Sequence, residues 1–354
     1  MFITGLGTAN PPQRYKQTEG WEAVQVAPQF ARLAPRSRAI LRKVLNGNNG
    51  IETRHLAFDS LHEAFSLDPD TLHARFVRYA PQVATEAAER ALVNAETKVQ
   101  EIDAIIVSTC TGYLCPGLTS YVSERLGLRP GVLTLDLVGQ GCGAALPNLR
   151  TGEALLASGR CRRVLSVCVE ICSAAFYLDD DPGVLISACL FGDGAGAAVL
   201  ANEPFAGSRS IKWKHAASLL VPEKRDLLRF EQRHGMLRNI LSPVVPPIAA
   251  EHAEKLLNTT LGGAGVAREQ ITGWIWHAGG RDVLLALQER LKLSDDDIRW
   301  SAGVLRDLGN VSSPCVYFVL EAALAGNAPG GLWWLSSFGA GFSCHGALLE
   351  VGAS

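Results

Sequence analysis

The chain repeats itself, and the repeat limits its possible folds more than any single motif does. Residues 83–112 read VATEAAERALVNAETKVQEIDAIIVSTCTG, a helical pattern, a short polar link and then a β-branched run. Residues 248–280, IAAEHAEKLLNTTLGGAGVAREQITGWIWHAGG, follow the same plan, with Ser108 and His277 at matching places. The next segments also correspond. DLVGQGCGAALPNLRTGEALLASG and LRDLGNVSSPCVYFVLEAALAG each run from a glycine-containing turn into a helix, and laying Gly141 on Gly309 puts Cys142 on Asn310. A third pair, ACLFGDGAGAAVLANE (188–203) and LSSFGAGFSCHGALLE (335–350), sets a glycine turn between strand-like residues.

Three matches in one order predict an α/β fold of two duplicated halves, 1–204 and 205–354, related by a pseudo-twofold axis. Each half alternates strand and helix, so mostly parallel sheets covered by helices are expected. Residues 12–80 have no counterpart and are rich in Arg, Pro and Asn. They are expected to form a helical addition with loops.

Composition excludes several functions. Lys and Arg number 33 against 35 Asp and Glu, with the signs interspersed, which leaves no electrostatic footprint for nucleic acid. The opening MFITGLGTANPP lacks the basic and apolar regions of a secretory signal, and no long apolar run predicts a membrane span. A cytoplasmic protein is expected. The nine cysteines are then reduced thiols, mostly small buried hydrophobes. Cys168 and Cys172 sit in VLSVCVEIC, a buried-strand pattern without a partner pair at zinc spacing, so no metal is expected.

Cys142 stands apart from the other thiols. It follows the strand-like VLTLDLV and a GQG turn and opens a helix, where unpaired N–H groups and the helix dipole favour a thiolate. Flanking glycines let a substrate carbonyl approach the backbone. A single cysteine is more often structural, but here the repeat sets Cys142 opposite Asn310. His277 ends the apolar run GWIWH, at a carboxyl strand end where α/β sheets place ligands. Cys142, His277 and Asn310 are therefore expected to converge. The imidazole activates the thiol, and the Asn carboxamide donates to an oxyanion or enolate or caps its helix.

The remaining motifs carry less. GLGTANPP breaks the GxGxxG spacing and runs into Pro11 and Pro12, so a dinucleotide loop is not expected. LFGDGAGAAV and SFGAGFSCHG read as tight turns that let the halves pack. Cys344 and His345 are neighbours on a strand and point apart, so they are no dyad.

GTANP, QGC, LFGDGA, WIWHAGG, GNVSS and SFGAG, in that order over nearly the whole chain, resemble the type III polyketide synthases, the chalcone synthase family of the thiolase-like fold. The resemblance implies a homodimer with an αβαβα layered core, self-contained active sites, acyl-CoA starters and malonyl-CoA extenders, with no cofactor beyond these thioesters. By motif, Cys142 corresponds to the acyl-bearing cysteine, and His277 and Asn310 complete the triad. Phe191 matches a gatekeeper phenylalanine between a CoA tunnel and the cavity. Cys115 stands where plant members have a methionine reaching into the partner's cavity, Ala175 where they have a cavity threonine, and Ser312 matches a cavity serine. Arg42 and Lys43 are the candidates for binding the CoA phosphates.

A second gatekeeper phenylalanine is missing from RHGMLRNILSPVVPP. With Ala175 and Cys115, this implies a roomier cavity, long-chain starters, and alkylpyrone or alkylresorcinol products. Three rivals remain. A ketoacyl-carrier-protein synthase of the initiating type shares the Cys, His, Asn order but has weaker motif agreement. A thiolase lacks its second thiol, since Asn310 occupies that place. A papain-like peptidase lacks its local signature around the cysteine.

Overall fold

The computed structural model describes residues 1–205 and 209–353. The first half begins with β1 (Phe2–Ala9), then β2 (Arg14–Lys16), α1 (Gln17–Gln25), α2 (Pro28–Arg32), α3 (Pro35–Asn46) and β3 (Thr53–His55). It continues through α4 (Pro69–Asn94), β4 (Ala104–Thr109), α5 (Leu118–Leu126), β5 (Leu133–Val138), α6 (Ala145–Ala157), β6 (Arg163–Glu170), α7 (Pro182–Leu190) and β7 (Gly194–Ala201). The second half has β8 (Ile211–Leu220), a hairpin of β9 (Leu228–Arg233) and β10 (Met236–Leu241), α8 (Val245–Ala264) and β11 (Ile271–Trp276). It ends with α9 (Arg281–Leu291), α10 (Asp295–Leu308), α11 (Cys315–Ala325), β12 (Gly331–Gly339) and β13 (Ser343–Val351).

The large sheet runs β11-β12-β13-β8-β1-β7-β6-β4-β5. Outward from the β1/β8 boundary the order is β1, β7, β6, β4 on one side and β8, β13, β12, β11 on the other, and corresponding pairs run in the same sense. That symmetry is the duplication. β5 extends only the first half, and among the described residues its outer edge is unpaired.

Among the described strands, parallel pairing links only β4 with β5 and β6, and β11 with β12. The expectation of mostly parallel sheets is thus corrected. The short turn between β12 and β13 permits only an antiparallel return, and β7 lies antiparallel between β1 and β6. The third sequence match also needs revision, because a helix, not a strand, precedes the first glycine turn. Pro182 opens α7, and the Asp181 carboxylate accepts from the N–H groups of Gly183 and Val184, so the apolar run starts as a capped helix. The inserted segment is helical as expected but also contains the β2/β3 pair. It stops at Asp68, which caps α4 through Thr71, so residues 69–80 belong to a core helix.

Five layers follow from the contacts. α4 covers β1, β7 and β6 on one outer face, and α8 covers β8 and β13 on the other. Between them lie α6 and α11, each touching strands of both halves. Gly5 and Gly7 of β1 lie against α4, where a Cβ would strike the carbonyl oxygens of Ala91 and Ala87. GLGTANPP is therefore a packing motif.

Candidate active site

The two middle helices begin at one place, and the site is built from the turns that precede them. Cys142 lies in a single 3-10 turn, Gly141–Gly143, just before α6. Gly141 takes φ +57°, and a Cβ there would meet the Ala340 backbone in the turn after β12. Two glycine turns, one from each half, thus touch backbone to backbone. Glycine is required because no side chain fits between them.

His277 follows the last residue of β11. Its N–H donates to Ser336 O at 2.9 Å, and its ring meets Phe338 edge-on with centroids 6.5 Å apart. Asn310 is tied more firmly. Its N–H donates to Leu190 O at 2.9 Å, its Nδ2 donates to Gly279 O at 3.1 Å, and its Oδ1 accepts from Ser312 N at 2.8 Å. The turn-capping role and the donor role coexist, because Nδ2 carries a second hydrogen. Cys142, His277 and Asn310 line one pocket with an empty volume of about 1960 Å³, alongside Phe191 and Phe338.

Burial pushes the Cys142 thiol up to about 12, opposed by the hydrogen bond from Ser312. It pushes the His277 imidazole down to about 4. Taken singly, each charged form is disfavoured by desolvation, which opposes the lowering expected at the helix terminus. The two shifts share that cause, and a thiolate-imidazolium pair would offset both at once.

Ser312, at φ +58°, donates from Oγ to Cys142 Sγ at 3.1 Å and lies 3.8 Å from Cys110 Sγ. Behind them is Glu170, fully buried at the end of β6, which the sequence reading passed over. Its carboxylate accepts from Ser313 Oγ at 2.6 Å, Thr111 Oγ1 at 2.8 Å and the Cys110 N–H at 3.0 Å, and burial raises its pKa. The one sequence signal was a carboxylate inside the apolar run VCVEIC.

Phe191 lines both the large pocket and a smaller chamber of about 370 Å³ that also holds Ala175 and Ser312. Phe191 thus stands between the two spaces. No phenylalanine comes from 233–247, but Phe230 of β9 stands directly opposite Asn239 of β10, and both face the chamber. Behind it, sharing Phe176 and Ala188, is an apolar space of about 520 Å³ walled by α1 and α3. Cys115 lies outside these spaces and is exposed. It neighbours Gly117, which packs on Asp136 of the unpaired β5 edge.

At the mouth, Lys43 of α3 lines the pocket and Arg42 does not. Adjacent helix residues point about 100° apart, so only one of the pair can face it. Arg281, at the first position of α9, lines the mouth instead and was missed, because its approach to α3 depends on the packing of the two halves.

A duplicated thiolase-like fold with Cys, His and Asn gathered where its middle helices begin defines an acyl-transferring condensing enzyme. Residues 61–204 match the N-terminal domain of chalcone and stilbene synthases, and residues 212–349 match the C-terminal domain. The chain belongs to that family, the type III polyketide synthases. It is 30% identical to a 3,5-dihydroxyphenylacetyl-CoA synthase of Streptomyces toyocaensis, covering 98% of this chain and 89% of the relative. It is 31% identical to a 1,3,6,8-tetrahydroxynaphthalene synthase of Streptomyces peucetius subsp. caesius, over 98% and 92%. Among solved structures, PKS-I of the brown alga Ectocarpus siliculosus superposes with a TM-score of 0.89 at 25% identity, covering 98% of this chain and 97% of the other.

Proposed function

We propose that Cys142 carries an acyl starter taken from acyl-CoA and that malonyl-CoA, decarboxylated in the same pocket, extends it. The convergence of Cys142, His277 and Asn310 on one pocket supports this most directly. Neutral His277 takes the thiol proton as Cys142 Sγ attacks the thioester carbonyl, and CoA leaves as its thiolate. Malonyl-CoA then loses CO2. His277 and the free hydrogen of Asn310 Nδ2 donate to the enolate oxygen, and the enolate carbon attacks the acyl-Cys142 carbonyl, breaking its C–S bond. The Cys142 thiolate leaves and a β-ketoacyl-CoA remains, which acylates Cys142 again for the next extension. Lys43 and Arg281 at the mouth hold the CoA phosphates.

The starter is a fatty acyl chain, whose tail passes Phe176 into the apolar space behind the chamber, and the products are alkylpyrones or alkylresorcinols. The lining by Val24, Leu41, Leu45, Leu56 and Leu61 supports this. Phe230 favours a second reading, a short starter that ends in the first chamber. Graded acyl-CoA starters with malonyl-CoA separate the two by product mass. Preference for long chains, lost in Phe176→Trp, supports the first reading, and indifference to Phe176→Trp with short starters preferred contradicts it.

The enzyme works as a cytoplasmic homodimer. Exposed Leu133, Val138 and Tyr113 beside the unpaired β5 edge support a second copy there, which brings Cys115 to the partner's side. Nine free thiols support a reducing compartment.

A further inference from the structure

Residues 23–51 contain five cations, Arg32, Arg36, Arg38, Arg42 and Lys43, and no acid. The chain as a whole is nearly balanced, with 33 Lys and Arg against 35 Asp and Glu, so this excess is local. Among the described residues none of the five forms an ion pair. Asp180 reaches the start of α3, but its carboxylate accepts from the Ala34 N–H.

Helical geometry sorts these residues. Ser37, Leu41 and Leu45 are buried, so the opposite face of α3 meets solvent, and it presents Arg36, Ala39, Arg42, Lys43 and Asn46. One edge of that face is the mouth, where Ile40, Lys43, Val44 and Gly47 line the catalytic pocket. Arg36 stands two turns before Lys43 on the same side, about 10 Å along the axis, and Arg42 is turned about 100° from Lys43. Neither lines the pocket. The positive face thus continues outside the mouth in two directions.

We infer that this face of α3 docks an acidic acyl carrier protein, which delivers the starter to Cys142 on its phosphopantetheine arm. Coenzyme A and a carrier protein present an acyl thioester on the same arm, so a pocket that passes one passes the other. They differ at the outer end, where CoA has an adenosine phosphate and a carrier has a folded surface. Lys43 and Arg281 at the mouth serve the phosphates. Arg36 and Arg42, outside it on two sides, meet a partner broader than a nucleotide, and charge complementarity makes that partner acidic. A lipid surface fits less well, because Ala39 and Asn46 accompany the cations and the face offers no bulky apolar residue to insert. In the transfer, Cys142 Sγ bonds to the thioester carbonyl carbon and the bond from that carbon to the pantetheine sulfur breaks. The carrier leaves as a thiol, with the proton that Cys142 gave up. This inference rests on the polyketide-synthase reading of the site and adds a second donor of the starter.

The test compares two donors of one acyl chain, decanoyl-CoA and a purified acidic acyl carrier protein bearing decanoyl-phosphopantetheine. Acylation of Cys142 is followed by mass spectrometry, and the second-order rate constant is read for each donor. Arg36→Gln combined with Arg42→Gln should lower it about tenfold for the carrier and change it less than about twofold for decanoyl-CoA. Arg36→Lys combined with Arg42→Lys should keep the carrier within about twofold of the parent. The CoA arm reports how much enzyme folds, so the ratio of the two donors is independent of yield. Acylation from decanoyl-CoA alone, or equal losses with both donors, overturns the inference. An unchanged ratio, with binding to phosphatidylglycerol vesicles lost in the Gln pair, assigns the face to a membrane and likewise overturns it. No acylation from either donor would instead refute the underlying reading.

Discussion

The turn before α6 and the turn before α11 occupy equivalent places in the two halves, yet they are secured differently. The Cys142 sulfur receives one side-chain hydrogen bond, from Ser312. Asn310 is held by its backbone N–H and by both ends of its carboxamide. A nucleophile must lose its proton, form a bond and release a product, so few fixed partners suit it. A group that stabilises developing charge acts best when its orientation is already set. Duplication supplied two similar turns, and the chemistry asks them to be unequal.

Removing each side of that comparison should have unequal effects. Cys142→Ala is expected to abolish product formation, a loss of about a thousandfold or more, because no second thiol replaces the acyl carrier. Asn310→Ala should lower kcat about a hundredfold, as loss of an oxyanion donor does, with malonyl decarboxylation falling alongside. Decarboxylation unaffected by Asn310→Ala would place the donor elsewhere.

At the mouth, Arg281→Ala should raise KM for malonyl-CoA about tenfold with little change in kcat. Arg42→Ala should leave KM within about twofold, since its side chain points away from the pocket. Equal effects of the two substitutions would reject the assignment.

The smallest effect concerns pH. Burial lowers His277 and His345 to about 4 from the usual 6.5. Between those values the unfolded chain binds protons that the folded chain excludes. The histidine contribution to stability should therefore fall as pH drops through that window and level off below it, against an opposite contribution from buried Asp193, which burial raises to about 6. Thermal midpoints of the parent and of His345→Gln check this, because their difference should shrink as pH drops from about 6.5 to about 4.

The duplicated fold and the triad were legible because the repeat aligned Cys142 with Asn310 and placed His277 at a strand end. That Phe191 and Ser312 would lie at the pockets followed from motifs, and Lys43 was one of two candidates in α3. Phe230 was not legible, because it reaches the chamber only through the register of a hairpin whose pairing the sequence does not advertise. Arg281 and Arg42 exchanged expectations for a similar reason. Which residue of α3 faces the mouth, and what arrives from α9, depends on how the halves pack. Glu170 looked like a strand residue because it is one, and its importance lies in the hydroxyl and amide donors that other segments bring to it.

The central claim is that Cys142 alone carries the growing chain. Brief incubation with an acyl-CoA starter, acid quench and peptide mapping by mass spectrometry tests it directly, because nine thiols compete for the label. The account predicts one acyl adduct, on the peptide containing Cys142 and absent in Cys142→Ala. An adduct on Cys110 or Cys172, or product formation by Cys142→Ala at the parental rate, would contradict it.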